Sequence, residues 1–347
     1  MRSRTGNDEA VTIRTGENKS IEERAGRASG KVILSGEHAA VYGFRAVAVG
    51  LERGAIARAI PLAAAPCQLR VGDLELRASD NHDLARAFVA VVETFAVTRA
   101  GRALLPVRVE VSTSLPAGSG LGSSAAIGVA LIRALDPRAS EAEVLTRAMV
   151  WERVFHGNPS GIDALVAARG GCFTFERGQG AVPIRLPRRA FLCIGQSGAG
   201  ASTRAMVSSV AALRMRAPEI AEATFAAIGA ISDDLARSLR AGDLREVGRL
   251  MRANHVLLRR LGLSTPAIDT MCELARLAGA HGAKLTGGGG GGCVVALCAT
   301  RLEADAVLLA WRREAFDGFI APLGAAREAD HERTQSCSPS EAGRPIT

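Results

Sequence analysis

The chain has 347 residues, enough for one large domain or two of ordinary size. Hydrophobic residues make up 48% and charged residues 22%, which excludes disorder over most of the length. The 38 glycines follow no G-X-Y period, which excludes collagen, and no apolar run approaches the roughly 18 residues of a membrane span.

In chain order, residues 1 to about 26 are polar and aperiodic and read as a loose arm. They contain no apolar core, which argues against a secretory signal, and their acidic residues argue against a transit peptide. Val32–Leu34 is a short apolar run. Val107, Val109 and Val111 alternate with polar residues, the period of a half-buried strand. A helix entered through glycines and serines follows over 120–135, then helices over 141–156 and 162–169. GCFTF and FLCIG read as strands. From about residue 203 the pattern turns to long helices, over 203–216, 218–240, 243–261 and 266–280, with breaks at Pro218, Ala241-Gly242 and Thr265-Pro266. KLTGGGGGGCVVALCA, a helix over 302–315 and the apolar GFIAPLG complete the body, and the tail from about 328 is again polar. Strands and helices in both halves predict an α+β chain with a junction near 180–190.

The net charge of +8 raises a nucleic-acid partner as a reading. Two features argue against it. Lysine occurs only at Lys19, Lys31 and Lys284 among scattered arginines, and aromatics, at 4%, leave few stacking platforms. An arginine-rich solvated surface with a mild pull on anionic substrates fits better. The seven cysteines, at 67, 172, 193, 272, 293, 298 and 337, form no C-x-x-C and mostly sit in apolar strings. Buried thiols of a cytoplasmic protein are expected, with no membrane contact.

Three glycine clusters bear on function. Gly30-Lys31 with Gly26 resembles a P-loop only superficially. The spacing is one residue short, Val32 stands where Ser or Thr is needed, and a strand follows in place of a helix. Gly118-Ser119-Gly120-Leu121-Gly122-Ser123-Ser124 follows a strand and opens an apolar helix. Glycines there let backbone approach a phosphate, and the unpaired amides of the helix start face it. An ordinary strand-turn-helix with serine capping has the same pattern. Six glycines, Gly287–Gly292, run directly into an apolar strand. That favours backbone wrapped closely around a ligand or another loop over a flexible linker. Between these clusters, Trp151-Glu152 leads through His156-Gly157 to Ser160 and Asp163. Ser160 and Asp163 fit an S-x-x-D helix start, and the same place can present a carboxylate.

Together these segments resemble the GHMP kinase superfamily over roughly residues 27–325. Within it, GKVILSGEHAAVYG, ERVFHGNPSGID and KLTGGGGGGC are most similar to the three motifs of the mevalonate kinase family. The resemblance implies two α+β lobes. Residues 27–187 would form the ATP-binding lobe, like domain 2 of ribosomal protein S5, and 188–327 a ferredoxin-like lobe, with arms at 1–26 and 328–347. It implies ATP on Gly118–Ser124 and Mg²⁺ held by Ser124 and Glu152. Asp163 would be the base that takes the proton of mevalonate's primary hydroxyl, with Lys31 beside it. Glu37, His38 and Thr203 would lie near the substrate, and Gly287, Gly288, Gly289 and Gly290 would shape the site. Dimers are common in the family, so a homodimer is a further expectation. Two departures stand out: Ser29 replaces the usual proline, and Gly288 a frequent alanine. Activity is expected to survive both, with nucleotide affinity open to change. The alternatives are a related acceptor, such as phosphomevalonate or a sugar, and a non-catalytic nucleotide-binding regulator. The regulator is disfavoured because Lys31, Asp163, Ser124 and Glu152 are all present.

Overall fold

The computed structural model describes residues 24–62, 66–95, 106–116, 118–157, 159–198 and 200–324, so most of the N-terminal arm and the C-terminal tail lie outside it. The arm ends earlier than expected. Arg24, Ala25 and Gly26 already belong to β1 (Arg24–Ser35), because they pair with Ala59, Arg58 and Ala57 of β2 (Ala46–Pro61).

β2 organises the first sheet. At Gly54 and Leu51 it faces consecutive residues of β1, Ser29 and Gly30, which leaves Glu52 and Arg53 as a bulge. A bulge bends and twists a strand. The first part of β2 pairs with β6 (Cys172–Glu176) and the last part with β5 (Val107–Thr113). β3 (Gln68–Val71), β4 (Leu74–Arg77) and β7 (Gly180–Pro183) extend the sheet, giving the order β4-β3-β5-β2-β6-β7 with β1 also on β2. Among the described residues only β3 and β5 run parallel.

Four helices belong to this half: α1 (Asp83–Glu93), α2 (Ser123–Leu135), α3 (Glu141–His156) and α4 (Ile162–Arg169). α2 packs on β1 and β2 and is covered by α3 and α4. Its Ile127, Val129, Leu131, Ile132 and Leu135 are buried, each stabilising the half by roughly 1.5–3 kcal/mol relative to exposure. α3 starts at a capping box in which Ser140 and Glu143 exchange hydrogen bonds.

Between Pro183 and Ala190 the chain passes to a second sheet. It is antiparallel, with the order β11-β8-β10-β9: β8 (Ala190–Gln196), β9 (Gly282–Thr286), β10 (Cys293–Cys298) and β11 (Gly318–Leu323). α5 (Thr203–Arg216), α6 (Pro218–Ala241), α7 (Leu244–Arg260), α8 (Pro266–Leu277) and α9 (Arg301–Arg313) form its helical layer. α7 turns Val247, Leu250, Met251 and Leu258 inward, and the fully buried Trp311 of α9 donates its indole N–H to the Met271 carbonyl. Among the described residues no helix is long and apolar enough to cross a membrane.

Candidate active site

The start of α2 is the focus. Gly118, Gly120 and Gly122 all have φ between 66° and 74°, a region that side chains avoid. They turn the chain tightly enough for Gly122 to be the N-cap, so the expected helix over 120–135 begins at Ser123. No side chain caps it, and its first-turn amides and positive dipole end stay available to an anion. Ser119 is turned back, its hydroxyl donating to the Pro116 carbonyl at 2.7 Å.

Lys31 enters from β1. Its backbone N–H donates to the Leu121 carbonyl at 2.8 Å, fastening strand to loop. Its stem crosses Gly122 so closely that a Cβ there would lie 2.7 Å from Lys31 Cγ. The buried ammonium ends 3.1 Å from Asp163 Oδ1. Asp163 sits in the first turn of α4, whose N-cap is Gly161 at φ 90°. The S-x-x-D capping pattern does not form: Ser160 stands outside the helix, and Asp163 turns to Lys31.

α3 supplies the second carboxylate. Gly128 on α2 has no Cβ, and one built there would lie 2.6 Å from the Trp151 ring. Trp151 therefore packs flush and donates its indole N–H to the Ser124 carbonyl at 2.9 Å. This brings the neighbouring Glu152 to Ser124, whose hydroxyl donates to Glu152 Oε1 at 3.0 Å. Glu152 is 2% exposed. Burial, and then the nearby Asp163 charge, push its carboxyl up to about 8, against the smaller pull of Ser124 and Lys31. A carboxylate paired with a hydroxyl suits a hard cation. Among the described residues no group of three or more His, Cys, Asp or Glu could hold a metal. His156, in the last turn of α3, lies 3.6 Å from Glu152 Oε2, and burial lowers its pKa.

The other half closes the site. Gly287 packs on the nucleotide-type loop, where a Cβ would lie 3.1 Å from the Gly120 carbonyl. The glycine run is pinned: Gly290 N–H donates to Leu263, and Ala201 N–H to the Gly290 carbonyl. Gly289 and Gly290 have φ of 78° and 70°. Gly288 has no such demand, and a Cβ there would make ordinary contact with Thr203 at 3.4 Å. His38, at φ 62°, donates from Nε2 to the Gly288 carbonyl at 2.9 Å. Burial lowers its pKa and favours the neutral ring. A non-glycine residue in this region is uncommon, and such backbone gathers at functional sites.

Glu37 is placed differently from the expectation. It does not line open space: its carboxylate is buried against the Lys284 ammonium, which also donates to the Ile33 and Leu285 carbonyls. Burial opposes charge on both partners, raising the pKa of Glu37 and lowering that of Lys284, and their attraction counters it. The pair and the Thr286 hydroxyl, which bonds Ile33, join β1 to β9. The sequence alone assigns no role to Lys284, His156 or Arg204; Arg204 donates from α5 to the Phe155 carbonyl of α3 at 3.0 Å. The rarity of lysine was the available signal for Lys284. A cavity of about 550 Å³ bounded by Arg27, Ser114, Arg133 and Arg169 opens at the far ends of α2 and α4 and holds none of these groups.

Two family models match the chain: the GHMP kinase N-terminal domain over residues 85–171 and the GHMP kinase C-terminal domain over residues 235–318. A mevalonate kinase of Thermococcus gammatolerans is 34% identical over 78% of this chain and 87% of its own length. One from Archaeoglobus fulgidus is 36% identical over 78% and 90%. The chain belongs to the GHMP kinase family. It is an ATP-dependent kinase. The Leishmania major mevalonate kinase in complex with R-mevalonate superposes with a TM-score of 0.73 at 28% identity, over 87% of this chain and 97% of that one. A Methanococcus jannaschii mevalonate kinase, at 23% identity, shares the fold with a TM-score of 0.75 over 88% of this chain and 100% of its own. The two sheets are the two α+β halves of a GHMP kinase.

Proposed function

We propose that this GHMP kinase transfers the γ-phosphoryl group of ATP to the primary hydroxyl of mevalonate, giving 5-phosphomevalonate and ADP. The observation that carries the reading is the Lys31–Asp163 pair at 3.1 Å beside an uncapped, glycine-lined helix start. Identity of a third or more with mevalonate kinases along most of the chain supports the acceptor.

ATP phosphates would rest on the amides of Gly118–Ser124. Asp163 accepts the hydroxyl proton as the oxygen attacks the γ-phosphorus, a role typically worth roughly 10²–10⁴ in rate. Lys31 keeps Asp163 ionised and faces the charge that builds on the transferring group. Ser124 and Glu152 would hold Mg²⁺, which when bound supplies neutralisation of the phosphate charge. Thr203, His38 and Gly288, which lie together, would line the acceptor space, with the Gly287–Gly290 run beside them.

The test is ADP release with Mg·ATP and a panel of mevalonate, phosphomevalonate, homoserine and galactose. Turnover with mevalonate alone is expected. Turnover confined to another acceptor would overturn the substrate, and binding of ATP without turnover on any acceptor would overturn the kinase reading.

A further inference from the structure

We propose that Asp269 is a positioning residue: from behind the glycine run it sets where Gly288–Gly290 stand beside the acceptor, and so governs the turnover of mevalonate without touching it. The proposal rests on the reading of the acceptor as mevalonate.

Asp269 lies near the start of α8, which the Thr265 side chain caps. Its Oδ1 accepts from the Ser264 hydroxyl at 2.6 Å and faces Nε2 of His255, on α7, at 3.2 Å. Its Oδ2 pairs with Arg259 Nε at 3.1 Å. The Arg259 side chain is mostly exposed, and such a pair contributes little. The two hydrogen bonds on Oδ1 are what the carboxylate fixes.

Both lead to the glycine run. Ser264 follows Leu263, which is fully buried and whose carbonyl takes the Gly290 N–H at 2.7 Å. The two backbones have no room to slide there, since a Cβ on Gly289 would lie 2.6 Å from that carbonyl. The Gly290 carbonyl in turn takes the Ala201 N–H at 3.0 Å. Ala201 stands just ahead of Thr203, which touches Gly288. His255 gives the second route. Its Nδ1 faces the Leu285 N–H at 3.4 Å. Accepting there leaves the ring proton on Nε2, toward Asp269. Leu285 belongs to β9, which runs into Gly287. The run is therefore braced firmly from Leu263 at its far end and more loosely from Leu285 at its near end, and the braces meet at Asp269.

The nucleotide side is held by other groups. The Thr286 hydroxyl accepts from the Ile33 N–H and donates to the Ile33 carbonyl, and Gly287 packs on Gly120. Loss of the Asp269 carboxylate therefore frees Gly288–Gly290 and Thr203 and leaves the Gly120 loop in place. A carboxylate that merely tied α7 to α8 would change stability and would favour neither substrate in the kinetics.

The experiment compares steady-state kinetics of wild type, D269A, D269N, S264A and D269A/S264A, with mevalonate and Mg·ATP varied in turn, at a temperature well below the melting point of every variant. D269A is expected to lower kcat/KM for mevalonate about 10- to 100-fold, the weight that a displacement of about 1 Å carries near reacting groups. KM for Mg·ATP should change less than about threefold. D269N keeps an oxygen that accepts from Ser264 and should stay within about threefold of wild type. S264A should lower the same kcat/KM by a smaller factor. The double variant should lose no more than about twofold beyond D269A, because both substitutions act through Leu263. A wild-type kcat/KM for mevalonate in folded D269A would overturn the proposal. So would D269A and S264A losses that multiply, or a loss shared equally by mevalonate and Mg·ATP. Should D269A fail to fold, S264A decides, and an unchanged kcat/KM there overturns the proposal as well. A wild-type enzyme silent on mevalonate would instead remove the acceptor reading, and this proposal with it.

Discussion

Glu152→Gln separates the cost of the buried carboxyl from its use. In the unfolded chain Glu152 ionises near 4.5; in the folded protein, without metal, it does so near 8. The folded pKa is raised, so the folded state keeps a proton that the unfolded state has released. The penalty is absent below pH 4.5, grows as pH rises through the window to about 8, and is constant above it. At roughly 1.4 kcal/mol per tenfold the full penalty is about 5 kcal/mol, an upper bound because local relaxation and water entry reduce it. Gln is nearly the same shape, accepts the Ser124 hydrogen bond and carries no charge. Thermal unfolding of E152Q and wild type without Mg²⁺ should therefore differ by less than about 1 kcal/mol at pH 5 and diverge by pH 8.5, with E152Q the more stable by several kcal/mol. Saturating Mg²⁺ should stabilise wild type at pH 8.5 and leave E152Q nearly unmoved, since anything that binds the ionised carboxylate offsets the penalty. A stability gap that is flat with pH, or a variant less stable at pH 8.5, would refute the burial argument.

Asp163→Asn should lower kcat by roughly 10²–10⁴ with nucleotide affinity within a few fold; near wild-type kcat in the purified variant would exclude Asp163 as the base. Gly122→Ala places a Cβ 2.7 Å from the Lys31 stem at a φ of 73°. It should lose about 1–3 kcal/mol of stability in denaturant titration, together with most of the turnover. Gly288→Ala, at 3.4 Å from Thr203 and free of a positive φ, should stay within about 0.5 kcal/mol of wild type. Lys284→Met strands the Glu37 charge and should cost about 3–5 kcal/mol by urea unfolding, with much of it recovered in K284M/E37L.

The helices after residue 203 were legible because punctuation and period agree. Pro218 and Pro266 open α6 and α8, and Gly242 closes α6 at φ 74°. The glycine clusters were legible as close-approach backbone, and the structure packs Gly287 on Gly120. Residues 46–95 were not. β2 is AVAVGLERGAIARAIP, rich in alanine, a helix former, and broken by the charged bulge at Glu52 and Arg53. Its strand character comes from pairing with three neighbours and has little local support. For the same reason β1 runs twelve residues where only Val32–Leu34 looked apolar. In the site, the family resemblance implied a role for Asp163 that its helix-start spacing left open, and contacts made elsewhere decide the fate of Glu37. Its partner Lys284 is 247 positions away, and no local spacing predicts such a pair.

The lysine economy explains why that partner was nevertheless marked. Across a chain with 43 lysines and arginines, lysine survives at three positions; Lys19 lies outside the described residues, and the other two are buried at the cleft. Arginine would serve neither site. At Lys284 three ammonium protons meet Glu37, Ile33 O and Leu285 O, one acceptor each. A guanidinium brings five donors in a fixed plane and would leave buried N–H groups without partners. At Lys31 the unbranched stem has to cross Gly122 before a compact charge reaches Asp163. Surface positions impose no such limit, so arginine fills them. The rare cation in this composition is thus kept where geometry favours a point charge.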